Sequence, residues 1–229
     1  MTRRRRRGVG EFKWWKDATS AWSLASKDAS GTTINDLVGT NNGTSANTPV
    51  FTADQKGRGG QAMSYDGISD YVDCGNASNL TTTSGGFSVS CWARLGSTTG
   101  DRRILHKGGQ DNTNYDYTLS FTATGSIGWA CSKTSGDMSG VDTDDTYNTI
   151  DTWYHIVGVY DGASTYTIYI NGSSVATSSI PYSSTGDSDL YLGEKNNGTQ
   201  KFTGSISDIA IYPEAKSATW VAQQYARTK

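Results

Sequence analysis

Apolar and polar residues alternate in short runs along most of the chain from Ala21 onward, and Gly, Asn and Asp interrupt the runs. Between Phe87 and Leu95, Phe87, Val89, Cys91, Ala93 and Leu95 fall in one phase and Ser88, Ser90, Trp92 and Arg94 in the other. That is the period-2 signature of a strand with two different faces. Tyr115 to Ala123 alternates in the same way, with Tyr115, Tyr117, Leu119 and Phe121 in step. Trp153 to Tyr160 and Tyr166 to Ile170 read as the two strands of a hairpin. Asp161-Gly162 supplies its turn, because both residue types tolerate positive φ, and Asn171-Gly172 begins the next turn. Gly204 to Tyr212 predicts a last strand. Ala215 to Ala226 breaks the alternation: Trp220, Val221, Gln224 and Tyr225 stand at helical spacing and predict a short C-terminal helix. About a dozen short strands, no fixed-period repeat and little helix predict an all-β sandwich or barrel. Residues 1–18 read as a basic and aromatic arm, and residues 19–229 as one domain.

Composition refines this picture. With 13 Tyr, 27 Gly, only 3 Pro and 18% charged residues, the outer strand faces must carry Ser, Thr and Tyr rather than charge. The net charge of −2 hides an asymmetry, since it becomes −7 once Arg3, Arg4, Arg5, Arg6 and Arg7 are set aside. A mildly acidic body disfavours nucleic acid over its surface and leaves that option to the arginine arm alone. No segment approaches the ~20 apolar residues of a membrane span. Gly8-Val9-Gly10-Glu11 follows the arginines where a secretory signal would need an apolar stretch, so none is expected. Three cysteines, Cys74, Cys91 and Cys131, make a poor disulfide framework and a poor zinc site. They read as buried small hydrophobes, with a Cys91–Cys131 bridge left open.

Several fragments, in this order, resemble the LamG-like jelly-roll domains of the concanavalin A-like lectin/glucanase superfamily. Trp22-Ser-Leu with Gly31-Thr-Thr-Ile-Asn-Asp36 and Asn41-Asn42-Gly43-Thr44 is similar to their opening. Met63-Ser-Tyr-Asp66-Gly67 with Asp70-Tyr71-Val72, and Phe87-Ser-Val-Ser-Cys-Trp92, match the next landmarks. Trp153 to Gly162 and Ile168-Tyr-Ile-Asn171-Gly172 match the central hairpin, and Gly204 to Tyr212 the closing strand. The resemblance implies a two-sheet antiparallel jelly-roll β-sandwich whose concave sheet and rim loops are the usual ligand surfaces. Members include laminin G-type modules, lectins, carbohydrate-binding modules and parts of phage structural proteins, so fold alone does not assign function.

The superfamily's glucanases carry E-x-D-x-x-E on one strand, which places two carboxylates on one face for acid and nucleophile roles. This chain has three glutamates, Glu11, Glu194 and Glu214, none in such a setting, and no enzyme activity is expected. His155 falls on a family core position and reads as structural. Asp208 is in step with Ile206 and Ala210, and a carboxylate in apolar company is costly unless paired or metal-bound. The oxygen-rich loop around Asp36 and Asn41, with Gly39 for a tight turn, could share a Ca2+ with Asp208, because related jelly rolls bring the first and last strands together. The alternative is that Asp36 and Asp208 accept backbone N–H groups in turns. Asp66 and Asp73 are further metal candidates, and the stretch from Asp137 to Asp151 is mainly a solvated loop. For a glycan platform, Tyr115, Tyr117, Trp129 and Tyr147 supply rings and Asn112 a polar contact. Core packing is the competing reading for these rings. Two functions are therefore expected. One is a non-catalytic carbohydrate-binding or adhesion module, displayed on a larger assembly and gripping a glycan or cell-surface polysaccharide. The other is a virion structural protein whose arm, Arg3 to Arg7 with Trp14 and Trp15, docks on a partner subunit. Both place the protein outside the cell or on a virion surface.

Overall fold

The computed structural model describes residues 12–82, 85–109, 115–132, 138–144, 147–179 and 188–229. Among these residues, seventeen strands in two antiparallel sheets and one C-terminal helix make a jelly-roll β-sandwich. The first sheet runs β15 (Ser173–Ser179), β14 (Thr165–Ile170), β13 (Trp153–Tyr160), β8 (Phe87–Leu95), β17 (Thr203–Tyr212), β6 (Ala62–Asp66) and β5 (Val50–Thr52), with β1 (Ser20–Trp22) also paired to β17. The second runs β12 (Met138–Asp142), β11 (Ile127–Ser132), β10 (Tyr115–Phe121), β9 (Arg102–Gly108), β16 (Leu190–Leu192), β7 (Val72–Asp73), β4 (Gly43–Ser45), β3 (Thr33–Ile34) and β2 (Ala29–Ser30).

The alternation in β8 places its faces as the period requires. Phe87, Val89, Cys91, Ala93 and Leu95 all enter the core between the sheets. From the second sheet Tyr117, Leu119, Phe121, Ile127, Trp129 and Cys131 meet them. Each large apolar side chain fully buried here stabilises the fold by about 1.5–3 kcal/mol. Gly158 of β13 makes room for Trp129: a Cβ there would lie 2.4 Å from the indole Cδ2. The hairpin pairs Tyr160 with Tyr166 and Ile156 with Ile170. Asp161 accepts the backbone N–H groups of Ala163, Ser164 and Thr165 and so closes its turn.

The helix α1 (Ala218–Thr228) starts three residues later than the spacing predicts, because Ser217 caps it by accepting from the Trp220 N–H. It covers the outer face of the first sheet, where Val221 packs on Val157 and Val159. Trp92, on the outer phase of β8, donates its indole N–H to Thr228 Oγ1 at 3.1 Å. The N-terminal aromatics settle on the same side. Trp14 and Trp15 pack against Ala18, Ala21, Ala210 and Tyr212 of the parent domain. The Trp14 carbonyl accepts from the Tyr212 hydroxyl at 2.5 Å and the Gln224 amide at 2.7 Å. Arg3, Arg4, Arg5, Arg6 and Arg7 lie outside the described residues. Cys74, Cys91 and Cys131 are all free thiols and all buried, so Cys91 and Cys131 are not bridged.

Candidate functional site

The outer face of the second sheet is polar from β10 to β3. Strand register aligns one cross-strand row: Gly140, Ala130, Thr118, His106, Tyr191, Asp73, Thr44 and Thr33. Apart from Thr44, each of these residues adjoins a core residue of the opposite phase. Tyr191, for example, sits between the buried Leu190 and Leu192, and Asp73 between the buried Val72 and Cys74. A second row aligns Asp142, Gly128, Ser120 and Arg103. The floor is sunk: Arg103, His106, Thr118 and Ser120 are at most 5% exposed although they lie on the outside of the sandwich.

A cavity of about 130 Å3 opens on this floor between Asp101, Arg103, Ser120, Gly128, Asp142 and Gln200. Arg103 Nε donates to Gln200 Oε1 at 2.8 Å, and its terminal nitrogen donates to Ser120 Oγ at 3.0 Å. Gln200 in turn donates to Asp101 Oδ2, whose other oxygen accepts the Ala123 N–H. The guanidinium is thus fixed by a chain of partners, as orientation of a ligand requires. Gly128 has a steric reason, since a Cβ there would come within 2.6 Å of Asp142 Oδ1. Burial, reinforced by the charge on Asp101, raises the Asp142 carboxyl above its ordinary range, and Arg103 opposes this. His106 stays neutral near pH 7: burial first, then Arg103 and Lys195, lower its imidazole to about 3, against a hydrogen bond with the Gly109 backbone.

Further along the same face, across His106 from Thr118, stand two half-buried rings, Tyr191 and Tyr71, with centroids 5.8 Å apart. The Lys201 ammonium lies 4.9 Å from the Tyr71 ring centre and pairs with Glu194. The Tyr191 phenol is pushed well up by burial and by the carboxylates of Asp73 and Asp189, so it remains a neutral donor. Below the rim, Lys107 is wholly buried, 3.6 Å from Asp116, and donates to Asn76 Oδ1 and the Ser188 carbonyl. It ties loop to strand beneath the face.

The rings expected to form the platform are placed otherwise. Tyr117 and Trp129 are corrected to core residues. Tyr117 donates its hydroxyl to the Leu80 carbonyl and packs on Phe87, and Trp129 donates to the Val159 carbonyl. Both side chains share the phase of Leu119 and Ile127, which faces the other sheet. Tyr147 is half-buried and stands edge-on to Tyr154 at 5.8 Å. Asn112 and the Tyr115 side chain lie outside the described residues. Tyr191 and Tyr71 were missed, although their position out of phase with Leu190, Leu192 and Val72 marked them as outward-facing.

The oxygen ligands proposed for calcium are engaged within the chain. Asp36 Oδ1 accepts the N–H groups of Ala21 and Val38, and Oδ2 accepts that of Asn41. Asn41 donates its amide to Ser20 Oγ and Asn79 Oδ1. Asp208 lies on a bulge of β17, with Arg58, Asp54, Gln55 and Lys27 as the charged or hydrogen-bonding groups acting on its carboxyl. Asp66 accepts N–H groups of Ile68, Ser69 and Asp70 and closes its own loop. Among the described residues, no three His, Cys, Asp or Glu side chains gather closely enough to hold a metal ion.

A laminin G-type family model of the concanavalin A-like lectin/glucanases superfamily matches residues 66–222, well over half of the chain, and the chain belongs to this family. No curated protein matches the sequence. Solved structures with the same fold include the botulinum neurotoxin serotype G binding domain, at TM-score 0.70 and 17% identity over 92% of this chain and 51% of that one. The binding domain of botulinum neurotoxin DC in complex with SialylT aligns at TM-score 0.71 and 10% identity, over 95% of this chain and 53% of that one. That of Paraclostridial Mosquitocidal Protein 1 aligns at TM-score 0.72 and 17% identity, over 93% and 52%. The chain spans about half the length of these domains. They are described as binding domains, not as enzymes.

Proposed function

We propose that the chain is a non-catalytic glycan-binding module whose ligand lies along the outer face of the second sheet. The observation that carries this reading is a floor as buried as core yet made of Arg103, His106, Thr118 and Ser120, with the Tyr191–Tyr71 pair beside it. A sugar needs that combination, because fixed polar groups orient its hydroxyls while a ring covers the apolar face of the pyranose. The family and the toxin structures, one a binding domain in complex with SialylT and another described with cell entry of botulinum neurotoxin type C that depends on two ganglioside molecules, support the ligand class. Asp101 is spent on holding Gln200 and the Ala123 amide, which suits a binding role better than acid–base work.

A glycan array followed by calorimetry tests the reading. Tyr191→Ala should weaken the best glycan about tenfold, the scale of a lost aromatic contact, with the melting temperature little changed. Arg103→Gln should weaken it by a similar factor and also lower the melting temperature, because it takes a buried donor from Gln200 and Ser120. Glycan affinity untouched by both variants would sink the assignment, and so would release of reducing sugar from the bound glycan. The finer reading is display on a larger assembly outside the cell or on a virion, with the segment from Arg3 to Arg7 gripping an acidic partner. Removing residues 2–11 keeps Trp14 and Trp15 on the domain, so light scattering should then report loss of assembly without loss of folding.

A further inference from the structure

On the opposite side of the sandwich a larger cavity, about 360 Å3, lies between the N-terminal aromatics, the β17 bulge and the C-terminal end of α1. Its size falls in the range of small-ligand sites. Phe12, Trp14 and Trp15 form an aromatic wall. Asp208 also lines it, at φ +52° on the bulge between Ser207 and Ala210, its backbone N–H bound to the Ser23 carbonyl. Left-handed backbone at a non-glycine residue is uncommon, and here it coincides with a carboxylate lining a cavity. Gln55 and Gln61 line the cavity beside it, and Gln55 is fixed by donating to the Thr228 carbonyl at 2.8 Å.

The charges around the cavity are unequally matched. Lys27 is paired with Asp28, and Arg58 with Asp54. Lys56 donates to the Arg227 carbonyl, and the Arg227 guanidinium lies 4.9 Å from the Phe12 ring centre. Among the described residues neither Lys56 nor Arg227 has a carboxylate partner. A cationic ligand would face both of them unshielded, and a neutral one would leave both unused. We infer that this cavity is a second binding site, separate from the sheet face, for a sugar residue that carries a carboxylate. The ring would lie on the aromatic wall, its hydroxyls on Asp208 and Gln55, and its carboxylate toward Arg227 and Lys56.

Calorimetry of the full chain with glucuronic acid, and with glucose as the neutral counterpart, tests this directly. Glucuronic acid should bind at least about tenfold tighter than glucose, the scale of one charge-assisted hydrogen bond. Arg227→Gln should erase that preference. Asp208→Asn should weaken both sugars, since Asn keeps the shape and tolerates the positive φ. Sugar binding that survives Arg227→Gln and falls instead with Arg103→Gln would belong to the sheet face, which separates the two sites. The proposal is overturned if neither sugar binds, if Arg227→Gln keeps the preference for the acid, or if Arg103→Gln is the variant that removes binding.

Discussion

The two outer faces of the sandwich carry one histidine each, His155 on the first sheet and His106 on the second, and the two are handled differently. His155 is sealed: the Trp92 ring lies 5.2 Å away and the Tyr225 ring of α1 stacks on it at 6.0 Å. Burial alone lowers its imidazole to about 3. His106 reaches a similar value among Thr118, Tyr191, Arg103 and Lys195, with no helix of the described residues laid over it. A strand face closed by apolar contacts is structural. A face equally buried but lined with polar groups keeps the means to recognise something. Burial by itself therefore does not separate core from site, and the chemistry of the burying groups does.

Substitutions at ring positions sharpen this contrast most. Trp129→Ala and Trp92→Ala should each destabilise the fold by about 3–5 kcal/mol in urea denaturation, the usual cost of emptying a large aromatic site. Tyr191→Ala should cost less than about 1 kcal/mol of stability while lowering glycan affinity. A Trp129 variant that folds normally and loses only binding would return that ring to the ligand platform.

A smaller effect is expected from pH. Burial, joined by repulsion from Asp54, pushes the Asp208 carboxyl up to about 7, and Arg58, Gln55 and Lys27 oppose it. Its folded-state value is raised, so the native state holds the proton more tightly than the unfolded chain. The stabilising contribution is full below the ordinary carboxylate range and is lost as pH rises through about 7. Asp208→Asn should therefore gain melting temperature relative to the parent between pH 4 and pH 8, a range set by that linkage. A gap that stays constant across this range would show that Asp208 is already ionised. The smallest effect should come from calcium. With Asp36 accepting three backbone amides, millimolar Ca2+ should leave the melting temperature unchanged, and a clear rise would return the ion to the opening loop.

The longer strands, the hairpin turn at Asp161-Gly162, the C-terminal helix and the phases of Phe87–Leu95 and of Tyr117 to Phe121 were legible in the sequence, because period-2 alternation and turn chemistry are local properties. In β8, and in β10 for Tyr117, Leu119 and Phe121, the residues predicted to share a face do share one. The three glutamates are scattered and lack the paired spacing of the superfamily's glucanases. What the sequence could not decide is what lies above a face. Tyr117 stands in step with Leu119 and Tyr191 out of step with Leu190 and Leu192, so their opposite phases could be read from the chain. That the face of Tyr117 is sealed by the other sheet, while that of Tyr191 stays polar and half-open, follows only from how β10, β9 and β16 pair and close on the first sheet. The helix over His155, the pairing of Gly158 with Trp129 and the cavity under Trp14 and Trp15 likewise join residues far apart in the chain. Such contacts are set by how the sheets close on each other, and only the tertiary structure carries them.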